Sequence, residues 1–147
     1  MIKSEGQDWR ERIIEQAPKL IAVLNKYRPD KIYMEDVPLK AQNPLTLVQL
    51  GVVQGFFYGV SASLNIPIMF VKPSNWRSPM GLFDGTKEGT KRAEMKRKSV
   101  EKANELFGLD LVWKSPSSTK NMDDISDAIL VAYSQIKIKH IGKPNSL

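Results

Sequence analysis

The sequence predicts an α/β fold, and three consecutive segments carry that expectation. Lys31 to Val37 reads as a short strand, Leu45 to Leu64 as a nearly all-apolar helix, and Ile66 to Val71 as a buried strand. Strand, helix and strand in that order form a βαβ unit, which implies that the two strands run parallel. A chain of 147 residues with no internal repeat and no linker composition is expected to form one domain, residues 1–147, ending in a loose tail at residues 142–147.

The elements follow in order. From Asp8 to Arg28, apolar residues recur at Trp9, Ile13, Ala17, Leu20, Leu24 and Tyr27, the stepping of one helical face. Pro18 removes a backbone donor inside that stretch, so the expectation is a kinked helix or two helices meeting there. Pro38 and Pro44 bracket a polar loop. In the apolar helix, Gly51, Gly55 and Gly59 fall four apart on one stripe. Each glycine costs a helix up to about 1 kcal/mol, which predicts a compensating close approach to a sheet or another helix. Lys91 to Gly108 reads as a basic helix with Val100, Ala103, Leu106 and Phe107 facing inward. Leu109 to Trp113 reads as a short strand, and Met122 to Lys139 as the last helix. His140, the sole histidine, is read as a surface residue.

Bulk properties narrow the function classes. Lys and Arg number 22 against 16 Asp and Glu, a formal charge of +6, and the isoelectric point is near 9.5. Such a balance suits a polyanion, because each neutralised phosphate releases counterions. The absence of cysteine excludes disulfides and thiolate metal sites. Charges throughout the first twenty residues exclude a secretory signal. Ala41 to Val71 contains no charged residue, which raises the question of a membrane span. Its interspersed Gln, Asn and Ser leave no run of about 20 apolar residues, so a buried helix and strand are expected and no membrane partner.

Three groups of residues could carry chemistry. Asp124 and Asp127 lie three apart on a helix, so both carboxylates can point to one place. Carboxylates that close repel unless a cation lies between them, and hard oxygen ligands suit Mg²⁺ or Mn²⁺. The competing reading is that acids simply favour a helix N-terminus, with Asn121 or Asp123 as cap. Glu35 stands near the end of its strand, where parallel α/β sheets place ligand sites. Convergent carboxylates holding divalent ions are the equipment for phosphodiester hydrolysis. Finally, Lys91, Arg92, Lys96, Arg97 and Lys98 form a basic stretch, with Trp76 and Arg77 just before it. These would hold nucleic-acid phosphates or bases, or else form a solvated helix face and part of the core.

Taken together, Tyr33-Met34-Glu35-Asp36-Val37, then Asn43, Leu50-Gly51 and Gly55, resemble the RuvC pattern of a strand glutamate, a loop asparagine and a glycine-marked helix. Val71 to Arg77 and the lysine-rich stretch from Gly89 to Ala103 are similar to phage RuvC-like resolvases. The ending Asp124-Ile125-Ser126-Asp127-Ala128 resembles the closing D-x-x-D-A helix of that family. The resemblance implies an RNase H-like three-layer fold and a homodimeric endonuclease, dependent on Mg²⁺ or Mn²⁺, that nicks four-way junctions or other branched DNA. The setting would be the cytoplasm of a bacterium or phage-infected cell. It makes Glu35, Asp124 and Asp127 three of four metal ligands and brings Asn43 toward the junction. Lys91, Lys96, Lys98 and Arg97 fall where the family has a basic residue near the scissile phosphate. Lys96 thereby joins the acids as a catalytic candidate, although the resemblance does not choose among the four. The family begins with an aspartate-bearing strand and two further antiparallel strands. Met1 stands only a few residues before the first helix, so the expectation is a chain lacking those strands. Two alternatives follow: a junction- or DNA-binding protein without catalysis, or a subunit whose sheet a partner completes.

Overall fold

A computed structural model describes residues 8–37, 43–83, 86–87, 89 and 91–141, with only the backbone for residues 137–141. The expected tail, the His140 side chain and most of the loop after Val37 lie outside the described residues. The chain sorts into two compact units, Met1–Phe70 and Val71–Leu147.

In the first unit, α1 spans Trp9–Tyr27 and runs through Pro18 as one helix rather than two. Asp8 caps it by accepting from the Arg10 backbone N–H at 3.3 Å. Arg28 ends it in the left-handed region at φ 42°, donating its N–H to the Leu24 carbonyl at 2.8 Å. The strands are β1 (Ile32–Glu35) and β2 (Ile68–Val71), joined by α2 (Pro44–Ser63). They pair as a two-stranded parallel sheet, so the predicted βαβ order holds.

The burial predicted for this unit does not hold. In α2 only Ser61 is buried, and Leu45, Val48, Leu50, Val52 and Tyr58 are exposed. Among the described residues α2 alone is long and apolar enough to cross a membrane by length and composition, and 6% of that stretch is buried. A Cβ built on Gly51, Gly55 or Gly59 would meet nothing within 4 Å, so no close approach among the described residues compensates for those glycines. Nor is β2 a buried strand, since Met69 and Phe70 are exposed. Phe70 instead stacks on Tyr58, ring centroids 6.3 Å apart. The physical reason is supply. Among the described residues of this unit, α1 and two short strands are the elements available to cover α2.

The second unit holds most of the core: Val71, Trp76, Met80, Leu82, Val100, Ala103, Leu130 and Val131 are all buried. Its helices are α3 (Pro73–Arg77), α4 (Arg92–Phe107) and α5 (Asp123–Ile141). Both α3 and α4 pack on α5. Where a loop was expected after Pro73, that proline starts a short helix, a position at which its missing N–H is harmless. Gly108 ends α4 at φ 62°. Leu106 and Phe107 prove exposed rather than inward-facing, with Phe107 edge-on to Tyr133 at 5.2 Å.

The strand expected at Leu109–Trp113 is absent because its backbone bonds go elsewhere. The Asn104 side chain accepts from the Leu111 N–H and donates to the Leu111 carbonyl, both at 2.9 Å. The Val112 carbonyl accepts from the Met122 N–H at 2.9 Å. A side-chain amide thus substitutes for a neighbouring strand.

The open surroundings of the α2 glycines give a test. Gly55→Ala should raise stability by about 0.5–1 kcal/mol, the helix-propensity gain with nothing to clash. Chemical denaturation measures it, and a loss of stability would mean that something does approach this stripe.

Candidate functional site

The first turns of α5 are built by a stripe of small and polar residues. Asp123, Ser126, Leu130 and Ser134 are all buried and recur at helical spacing, which sets the face that α5 turns inward. Asp127 lies beside that stripe, one turn after Asp123, and is half-buried; Asp124 is exposed. The two acids singled out in the sequence therefore have different surroundings.

Two contacts from α4 engage this face. Lys96 Nζ pairs with Asp123 Oδ2, the acid side chain being 9% exposed and the lysine 28%. Ser99 Oγ bonds Asp127 Oδ1 and lies 2.9 Å from Ser126 Oγ, which is in turn 2.9 Å from the Asp123 carbonyl oxygen. This is a chain of three hydrogen bonds between four oxygens, and the two serines supply only two protons. With Asp127 ionised, one link lacks a hydrogen. With Asp127 protonated, Asp127 donates to Ser99, Ser99 to Ser126, and Ser126 to the carbonyl, so every link is filled. Burial acts in the same direction by pushing the Asp127 carboxyl above its ordinary value, and the nearby Asp123 adds to the effect. The Ser99 hydrogen bond and the charges of Arg77 and Lys96 oppose it.

The other candidates are placed as follows. Glu35 ends β1 in the first unit, half-buried, with its carbonyl accepting from Gln54 Nε2 at 3.2 Å. Asn43 caps α2 by accepting from the Leu45 N–H at 2.9 Å. Trp76 is 0% exposed, so it is a core residue and presents no ring face to a base. Arg77 ends α3 with its guanidinium carbon 5.0 Å from the Trp76 ring centroid. Lys91 and Arg92 are exposed at the start of α4, and Lys98 is half-buried. Arg97 is gripped by Glu94 and Glu101, which hold its proton more tightly than usual. Much of the basic helix is thus neutralised by acids of its own.

Among the described residues, no three His, Cys, Asp or Glu side chains come together as a metal site. Carboxylate oxygens on α5 are the right donors for a hard divalent ion, but their number falls short.

No protein-family signature and no curated protein matches the chain. Solved structures do. A Thermus thermophilus RuvC in complex with a Holliday junction substrate superposes with a TM-score of 0.67 at 16% identity, over 96% of this chain and 76% of that one. Another T. thermophilus RuvC structure gives 0.65 at 18% identity with the same coverage. The fold is RuvC-like.

In this RuvC-like, RNase H-type fold, the sequence reading missed three residues: Asp123, Ser99 and Ser126. Asp123 had been considered only as a helix cap. The available signal was the spacing Asp123, Ser126, Leu130, Ser134, which puts two serines in helical register with Asp123 and Leu130 on one stripe. A buried hydroxyl needs a partner, and that requirement points to a polar group on the facing helix.

The raised Asp127 value has a definite sign in stability. The folded chain holds this proton more tightly than the unfolded one. The contribution is therefore full below the unfolded value, about 3.9, and is lost as pH rises through the folded value. Asp127→Asn supplies a donor at every pH. It should melt a few degrees above the parent at neutral pH, with the gap closing as pH falls toward 4. A variant melting below the parent throughout would contradict the proton count.

Proposed function

We propose that this chain acts on four-way or other branched DNA as a structure-selective endonuclease. The observation that carries this reading is the RuvC-like superposition over 96% of the chain. One of the matched structures is a RuvC holding a Holliday junction substrate. The net charge of +6 suits a polyanionic partner. On this reading two copies act together, each nicking one strand, in the cytoplasm of a bacterial or phage-infected cell.

Glu35, Asp124 and Asp127 would hold Mg²⁺ or Mn²⁺. When bound, such an ion activates water and stabilises the leaving oxygen. The chain's own residues orient the substrate. Exposed Lys91 and Arg92 meet backbone phosphates and contribute little base specificity. Asp127 keeps its Oδ1 against Ser99, which would leave its other oxygen as the donor to an ion.

One observation favours a second reading, a junction-binding protein without catalysis. Asp123 and Asp127 are already engaged by Lys96 and Ser99, and no three-ligand group forms among the described residues.

A synthetic four-way junction separates the two. With Mg²⁺ or Mn²⁺ the parent chain should cut near the branch point. Asp127→Asn should lose at least about a hundredfold in rate, on the scale of removing one key transition-state group, and still bind. Binding by the parent with no cutting under either ion selects the second reading. Neither binding nor cutting removes both.

A further inference from the structure

The chain enters α5 through a loop that the proposed reaction leaves without a role, residues 114–121. Its sequence, Lys-Ser-Pro-Ser-Ser-Thr-Lys-Asn, has the composition of an ordinary turn-rich connection, yet hydrogen bonds fix its course. Asn121 closes it end to end. Its Oδ1 accepts from the Lys114 N–H at 2.9 Å, and its Nδ2 donates to the Ser115 carbonyl at 2.7 Å. Inside that ring the Ser118 N–H donates to the Ser115 carbonyl at 3.1 Å, a turn with Pro116 at the position its fixed φ favours. Ser118 Oγ accepts from the Lys120 N–H at 3.2 Å. Below the ring, the Met122 N–H donates to the Val112 carbonyl at 2.9 Å and ties the neck.

These bonds place two lysines. The backbone of Lys114 is bonded to the Asn121 side chain and Lys120 is the residue before Asn121, so both lysines arise at the neck. That neck leads directly into α5. Lys120 stands four residues before Asp124, which keeps their Cα atoms within about 15 Å of each other. Both lysines are exposed, and no acid occurs from Leu111 to Met122. On α4, by contrast, Lys96, Arg97 and Lys102 are each paired with a carboxylate. Neither loop lysine has an ion pair among the described residues, so each can meet a phosphate without breaking one. Ser117 and Thr119, also exposed, add hydroxyl donors of the kind that contact phosphate oxygens.

We propose that this loop is a DNA-contact surface, a role that rests on the branched-DNA reading above. Lys114 and Lys120 each neutralise a backbone phosphate of the strand that approaches the start of α5. Asn121 is the positioning residue that holds the two lysines together, so that little loop freedom is lost on binding. The contact carries charge and shape rather than base sequence.

The test is the salt dependence of junction binding by the full chain, in EDTA so that cutting cannot interfere. Fluorescence anisotropy between about 50 and 200 mM KCl gives the slope of log K against log salt, to which each neutralised phosphate contributes about 0.9. Lys114→Met and Lys120→Met should each lower the slope by about 0.9, and the double variant by about 1.8, with parent-like melting because both side chains are exposed. Lys114→Arg/Lys120→Arg keeps both charges and should keep the slope. Asn121→Ala should keep the slope and weaken parent binding several-fold, yet have no further effect once both lysines are Met, because it acts only through them. An unchanged slope in the double Met variant overturns the proposal, as does a lowered slope in the double Arg variant. Equal weakening by Asn121→Ala with and without the lysines overturns the positioning role. Failure of the parent chain to bind the junction at all would sink the functional reading, and this role for the loop with it.

Discussion

The contact on which the candidate site depends is the closure of α4 on α5. Lys96, Ser99 and Ala103 follow one face of α4, and Asp123, Ser126 and Leu130 follow one face of α5. Small side chains at Ser99, Ala103 and Ser126 let the helices approach closely, and that approach brings polar groups out of water. A buried polar group is costly unless it is bonded. The Lys96–Asp123 pair and the Asp127–Ser99–Ser126 chain discharge that requirement. Packing and electrostatics are therefore not separable here. Any change that opens the helices exposes the acids, and any change that strips a partner from the acids weakens the closure.

The two units manage apolar surface in opposite ways. In the second, a fully buried indole, leucines and valines form a core around α5. Trp76 Nε1 is buried there without a hydrogen-bond partner among the described residues, a cost accepted for the bulk of the ring. In the first, α2 has no charged residue along its length, yet its side chains are largely exposed. Contiguous exposed apolar surface is uncommon on soluble domains and marks a place where something else is meant to pack. The stability of this unit is accordingly expected to depend on what covers it far more than that of the second unit does.

Local pattern made the elements legible, and long-range pairing decided the rest. The helical stepping from Trp9 to Tyr27, the βαβ order and the glycine stop at Gly108 could all be read because each is set by residues within a turn or two of one another. Of the two readings Pro18 left open, the single helix is the one found, since one lost donor in a long helix does not end it. The glycine stripe of α2 misled because spacing reveals an opportunity for close packing, not its use. The segment Leu109–Trp113 failed as a strand because Asn104, a residue of the preceding helix, took its hydrogen bonds. At the site, the acids of α5 stood out at once. Their ranking did not, because the spacing puts Asp123 in register with Ser126 and Leu130 but does not say that α4 covers that stripe rather than the one holding Asp124.

The compensated state of α5 bears on how a RuvC-like fold relates to a RuvC-like reaction. A carboxylate that has to bind a cation is best left unmatched and exposed, whereas one that holds two helices together is best buried and paired. Asp123 has been given wholly to the second task and Asp124 wholly to solvent. Asp127 stands between them, at the edge of the buried stripe, with one oxygen tied to Ser99 and its proton held more tightly than usual. Groups left in that intermediate condition are where function and stability conflict, because burial that raises the affinity for a proton also strengthens the pull on any cation able to replace it. Asp124, three residues earlier on the same helix, is exposed and undergoes no such desolvation. Burial and the Ser99 hydrogen bond therefore act on Asp127 in opposite directions, the first favouring its protonated form and the second holding the carboxylate against α4.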